Sequence, residues 1–175
     1  MQWFSAAQLV GYLTLILGVV AFSQKNDFRL RSLVGTQCVL YAVHFLLLGN
    51  IAAAVSAAVS SARSYASLYT RSIYVAALAV VLNLAIGLHF VHSPAGLLPV
   101  AASVMGSAAM FLLRGVPLRV VLLLCSLCWL ANNLLCHSIG GTVLELFISS
   151  SNLVTILRLT RNVSGDDELL EASEA

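Results

Sequence analysis

Apolar runs about twenty residues long, separated by gaps only a few residues wide, repeat along the chain, and this pattern leaves few folds open. At 1.5 Å per residue, such a run as a helix matches the roughly 30 Å hydrocarbon layer of a bilayer. Only 9% of the 175 residues are charged and 60% are hydrophobic, so the chain cannot clothe a soluble domain in charge. The runs do not alternate polar with apolar residues, as the strands of a membrane β-barrel would. The pattern predicts an all-α polytopic membrane protein.

Seven spans account for most of the chain: residues 5–23, 31–49, 51–69, 72–91, 95–113, 119–137 and about 140–158. No Lys or Arg precedes the first span, so it lacks the charged start of a cleavable signal. The nine basic residues (Lys25, Arg29, Arg31, Arg63, Arg71, Arg114, Arg119, Arg158 and Arg161) then fall in or near segments on one side. The loops of the other side have none. The positive-inside rule puts the amino terminus outside and the carboxyl terminus in the cytoplasm. Residues 162–175 are acidic and are expected as a disordered cytoplasmic tail. Asn162-Val163-Ser164 matches a glycosylation acceptor but lies on the wrong side for it.

The sequence also points to an internal repeat. A shift of 89 residues yields few identities, yet it superposes polar faces: Gln37 on Ser126, His44 on Asn133, Ser56 on Glu145, Ser60 on Ser149 and Arg63 on Asn152. That predicts two parallel three-helix units, residues 1–71 and 92–161, joined by a linker span at 72–91.

The polar residues inside the spans are the candidate site. A carboxylate facing lipid at a helix centre costs roughly 2.5–3.5 kcal/mol on insertion scales, so Glu145 is expected to face protein or water. Glu145, Ser149 and Asn152 share one helical face, as do Gln37, Tyr41 and His44. His44, Asn132, Asn133 and Glu145 are expected to cluster in the outer third, as a solute or proton site or as interhelical hydrogen bonds that fix packing. Arg63 lies deeper, roughly 18 Å below the outer end of its span, and is expected to snorkel to the cytoplasmic interface rather than pair with Glu145. Trp129 faces either lipid or a cavity. Asn83 is expected to be a packing contact. Cys125-x-x-Cys128 lacks a second pair or a nearby His and reads as two buried small hydrophobes, like Cys38 and Cys136.

No nucleophile elbow, two-histidine metal motif or phosphate loop occurs, so no catalytic, metal-binding or cofactor-binding residue is expected. No basic face suits nucleic acid. The expected partners are the lipid bilayer and a small polar solute, with self-association as a homo-oligomer left open.

The 3+1+3 layout with an outside amino terminus resembles that of the SWEET/PQ-loop transporters, in layout only, because the Pro-Gln dipeptide is absent and Pro99 marks the second unit alone. A closer resemblance, over residues 8–161, is to the YgjV-type family of bacterial inner-membrane proteins. It is carried by His44-Phe45 with the following LLLG, the run IGLHFVHSPAGLLPV (86–100), Cys128-Trp129 and SIGGTVLE (138–145). This resemblance implies a multi-pass protein of the bacterial inner membrane and brings no catalytic residues with it. The function expected is a transporter or carrier of a small polar solute. The alternative is a non-transporting membrane module that binds a protein or lipid partner.

Overall fold

The computed structural model describes residues 4–22, 24, 27–70, 72–113 and 115–174. Lys25, Arg71 and Arg114 of the basic loops lie outside these residues. Seven helices and no strand occur among the described residues: α1 (Ala6–Phe22), α2 (Asp27–Leu47), α3 (Ile51–Tyr69), α4 (Ile73–Leu82), α5 (Leu97–Leu112), α6 (Gly115–Leu135) and α7 (Ile139–Glu174). Each expected span coincides with one helix. α4 runs on through a π-helical turn at Asn83–Gly87, and a 3₁₀ turn at Pro94–Gly96 leads into α5. Helix α7 also takes in the acidic segment expected as a disordered tail. Its second half, Asp167-Glu168-Leu169-Leu170-Glu171-Ala172, contains neither Gly nor Pro and is dominated by good helix formers, whereas Asn162-Val163-Ser164-Gly165 before it is not.

The ends of α3 and α4 follow their capping residues. The Asn50 side chain accepts from the Ala53 amide at the start of α3, and the Ser72 hydroxyl accepts from the Tyr74 amide at the start of α4. Packing contacts join α1 to α2, α2 to α3, α3 to α5, α5 to α6, α6 to α7 and α7 back to α1, closing a cycle of six helices. Helix α4 packs against α3 and α5.

The distribution of polarity is inverted relative to a soluble bundle. Leu9, Leu13, Ile16 and Val20, spaced as one face of α1, are exposed, as are Leu78, Val81 and Leu82 on α4 and Leu146, Leu153 and Leu157 on α7. Buried side chains include Thr14, Gln37, His44, Ser56, Asn83, Asn132, Asn133 and Glu145. Apolar side chains outside and polar ones inside suit a hydrocarbon surround. By length and composition, Gly115–Leu135 and Ile139–Arg161 each suffice to cross a membrane, and Ala6–Ala21, Arg31–Leu47, Ile73–Gly87 and Pro94–Ala109 are shorter apolar helices.

Candidate functional site

The polar interior is organised by two helix corners with the same backbone bonds. Where α2 turns into α3, Gly49 N–H donates to Leu46 C=O at 3.0 Å and Asn50 N–H to Phe45 C=O at 2.9 Å. Where α6 turns into α7, His137 N–H donates to Leu134 C=O at 3.1 Å and Ser138 N–H to Asn133 C=O at 2.9 Å. Both are Schellman endings, which need a left-handed residue. Gly49 supplies it at φ 76° and His137 at φ 54°. The next residue then caps the following helix. Asn50 Oδ1 accepts from Ala53 N–H at 3.0 Å, and Ser138 Oγ accepts from Gly141 N–H at 3.2 Å.

The two caps are tied to each other's partner helix. Ser138 Oγ lies 2.6 Å from Nε2 of His44 on α2, and Asn50 Nδ2 donates at 2.8 Å to Oδ1 of Asn132 on α6. His44 precedes its own corner's cap by six residues, and Asn132 does the same. The other ring nitrogen of His44 lies 2.7 Å from Ala7 C=O on α1, and a carbonyl can only accept, so Nδ1 carries the proton. Nε2 then accepts from the Ser138 hydroxyl. Both ring nitrogens are thereby used in holding α1, α2 and α7 together. Gln8 of α1 adds a clamp, donating to His137 C=O at 2.6 Å and accepting from Ile139 N–H at 3.1 Å.

The α2–α6 contact is aromatic. The rings of Tyr41 and Trp129 lie 5.7 Å apart, and Phe45 sits 4.6 Å from Tyr41 and 5.6 Å from Trp129. Trp129 is thus half-buried against this cluster. Asn133 Nδ2 donates to the Tyr41 hydroxyl at 2.5 Å and to Trp129 C=O at 2.9 Å. Its Oδ1 is buried without a hydrogen-bond partner and occupies the space beside Gly141, where a Cβ would stand 2.1 Å from it.

Glu145 sits one helical turn below Gly141. It is 5% exposed, and its Oε2 accepts from Ser126 Oγ of α6 at 2.5 Å. Among the described residues no hydrogen bond joins Glu145 to His44, Asn132 or Asn133, so the expected four-residue cluster divides into separate contacts. Farther along α7 the Ser149 hydroxyl is buried without a partner, and Asn152 Oδ1 accepts from Arg119 Nη1 at 3.4 Å. The α7 face read from the sequence is therefore turned to α6. Arg63 is half-buried on α3, and Cys38 lies within electrostatic reach of both Arg63 and Glu145. All four cysteines are free thiols, and among the described residues no group of His, Cys, Asp or Glu forms a metal site.

Two expectations change. Ser56 and Ser60 were paired with Glu145 and Ser149 at a shift of 89, yet they meet different surroundings. Ser56 donates to Asn83 Oδ1 at 3.1 Å, Asn83 donates to Ser103 Oγ at 2.5 Å, and Ser60 lies 3.0 Å from the same Ser103 hydroxyl. These bonds seal α3 to α4 and α5, and Asn83 has the packing role expected of it. The second change concerns what sequence reasoning missed. Ser138 carries a recognisable signal, a hydroxyl residue just before the first turn of a helix. Tyr41 shares a face with His44, and Ser126 lies seven residues before Asn133 on α6, where helical spacing returns to the same side. Nothing local in the sequence marks Gln8.

Residues 5–163 match a family described as bacterial inner membrane protein, Imp-YgjV. The chain is 34% identical over 155 residues to the inner membrane protein YgjV of Escherichia coli strain K12, covering 89% of this chain and 85% of that one. No solved structure matches. The segment SIGGTVLE, in which Ser138 caps α7 and Glu145 meets Ser126, thus lies within a match that covers nearly the whole chain, and the protein belongs to the Imp-YgjV family of bacterial inner membrane proteins.

Proposed function

We propose that this chain is a seven-span carrier of a small polar solute, with its amino terminus outside and two parallel three-helix units, α1–α3 and α5–α7, joined by α4. The cycle of packing contacts supports the two units, since α3 on α5 and α7 on α1 are the same junction made twice. The corners support a register of 88 residues rather than 89: Gly49 falls on His137, Asn50 on Ser138, His44 on Asn132 and Tyr41 on Trp129. In that register the two exchanged caps are one contact seen from each unit, and Tyr41 against Trp129 stands where the two units meet.

The observation that carries the solute reading is Glu145. Its carboxyl group is buried between α6 and α7, with Ser126 as its side-chain hydrogen-bond partner. A group this costly to hold in a membrane interior is the usual mark of a solute or proton path. Glu145, Ser126 and Asn152 are the residues assigned to that path, and Arg63 is the cation read as lying deep on α3. No catalytic residue is assigned; the chain is read as a carrier and not as an enzyme.

The non-transporting reading draws on His44, Asn132 and Asn83, whose bonds hold helices together. The two readings separate in a deletion strain. Metabolite levels inside and outside the cell are compared with those of strains carrying the wild-type chain or Glu145→Gln at equal membrane abundance. Gln keeps an acceptor for Ser126, so the fold is retained. The carrier reading expects Glu145→Gln to behave like the deletion, about tenfold or more below wild type in the affected solute, the loss seen when an interaction worth about 1.4 kcal/mol or more is removed. Full complementation by both Glu145→Gln and Asn152→Ala sinks it.

A further inference from the structure

Helices α2 and α6 stand opposite one another in the cycle of six, and side chains bridge them across the interior. The Tyr41 and Trp129 rings lie 5.7 Å apart, Phe45 lies 5.6 Å from Trp129, and Asn133 Nδ2 donates to the Tyr41 hydroxyl at 2.5 Å. Nearer the corners, Asn50 Nδ2 donates to Asn132 Oδ1 at 2.8 Å and to Cys136 Sγ at 3.0 Å.

This bridge lies on the corner side of Glu145. The carboxamide of Asn133 fills the space beside Gly141, one helical turn nearer the α6–α7 corner than Glu145. The Tyr41 hydroxyl bonds to that carboxamide and so covers Glu145 from the same side. The Asn50–Asn132 bond, made at the corners themselves, lies beyond it. Ser126, which donates to Glu145, is one turn farther from the corner than Trp129 and is 3% exposed.

The two junctions between the units are of another kind. A Cβ on Gly140 would stand 2.3 Å from the Gly11 carbonyl oxygen, so α1 and α7 meet backbone to backbone. Thr14, on the α1 face between Gly11 and Gly18, is 0% exposed there. Across the other junction Ser60 Oγ lies 3.0 Å from Ser103 Oγ. Parting α2 from α6 breaks a few uncharged side-chain contacts, whereas parting α1 from α7 undoes close backbone packing. A hinge at the junctions with opening between α2 and α6 is therefore the motion of least resistance.

We propose, resting on the carrier reading, that the bridge of Tyr41, Phe45, Trp129 and Asn133, with Asn50 and Asn132 above it, is the gate of the path on the corner side. It shuts Glu145 off from that side in this structure. It opens when α2 and α6 part while the α1–α7 junction stays closed, and the open form is a minor population at equilibrium.

The test is thiol labelling with a charged methanethiosulfonate, applied to each face of the membrane in spheroplasts and in inside-out vesicles. A chain retaining only Cys136, which lines the open cleft at the corners, identifies the corner face. The reporters, in a chain with all four native cysteines replaced by Ala, are Ser126→Cys behind the bridge and Thr14→Cys in the α1–α7 junction. Tyr41→Phe removes the hydroxyl that Asn133 meets and leaves the ring in place, so it opens no hole. It is expected to speed labelling of Ser126→Cys from the corner face about fivefold, the effect of one lost hydrogen bond on a population, and to leave Thr14→Cys unchanged. Asn50→Asp keeps the acceptor for Ala53 N–H and loses the donor to Asn132; it should act in the same direction, and it decides the matter if Tyr41→Phe does not fold. An unchanged Ser126→Cys rate in the folded variants overturns the proposal. So does equal speeding of Thr14→Cys, which would mean general loosening. So does labelling of Ser126→Cys from the corner face as fast as Cys136 with the bridge intact. Complementation by Glu145→Gln reads the carrier separately: a bridge that fails to open beside a Glu145→Gln that fails to complement overturns the gate alone, and an opening bridge beside full complementation by both Glu145→Gln and Asn152→Ala overturns the carrier reading.

Discussion

Gly141 has no room for a methyl group, because the carboxamide of Asn133 fills the place where it would stand. The same is true of Gly140, whose Cβ would fall 2.3 Å from the Gly11 carbonyl oxygen of α1. Gly18 differs in what it would meet: the nearest atom, at 2.6 Å, is the Cδ1 tip of Leu144, which can rotate away. Overpacking a well-filled interior costs about 1–3 kcal/mol. Gly140→Ala, which strikes backbone, is therefore expected to lower the thermal midpoint in detergent well below that of Gly18→Ala. Equal midpoints would mean that α1 and α7 do not approach as closely as Gly11 and Gly140 imply. At this scale the sequence was informative about identity and less so about role. The burial of Glu145, His44 and Asn133 follows from their type and depth. That His44 would be consumed by Ala7 and Ser138 could not be read, because the bonds join residues 37 and 94 positions apart.

The elements themselves were legible, because apolar runs of membrane length and short gaps determine helix positions within a few residues, except at the end of α7, which runs on through the acidic segment to Glu174. Their partners were less so. Periodicity says that Ser56 and Ser60 share a face of α3, but not that this face meets Asn83 and Ser103 on α4 and α5. The corners show the same division. Gly49-Asn50 announces a turn, whereas Cys136-His137-Ser138 makes an equivalent left-handed ending without glycine. His is among the residues that tolerate that region, at a cost glycine does not bear. Gly49→Ala, with open space around its Cβ position, should therefore cost about 1 kcal/mol through backbone strain alone. His137→Gly should not be destabilising, since its contacts to Gln8 and Leu134 use backbone atoms. Melting of the two variants side by side checks this. A His137→Gly loss as large as that of Gly49→Ala would show that the imidazole itself holds the corner.

For the whole molecule, the bilayer context follows from composition, from the apolar exterior and from family membership together. The two-unit reading adds a constraint that none of these supplies. Units that run parallel must be joined by an odd span, so α4 has to cross the membrane and the two termini must lie on opposite sides. With the amino terminus outside, as proposed, the same arrangement would put both corners outside and Arg31 and Arg119 near the cytoplasmic ends of α2 and α6; Arg31 donates to Ser67 C=O and Arg119 to Asn152 Oδ1. The distribution of Lys and Arg makes the same demand through the positive-inside rule. The most direct test is a pair of reporters fused after Arg161, one active only in the periplasm and one fluorescent only in the cytoplasm. The account predicts a silent periplasmic reporter and a fluorescent cytoplasmic one; periplasmic activity after Arg161 would contradict the seven spans and, with them, the parallel units.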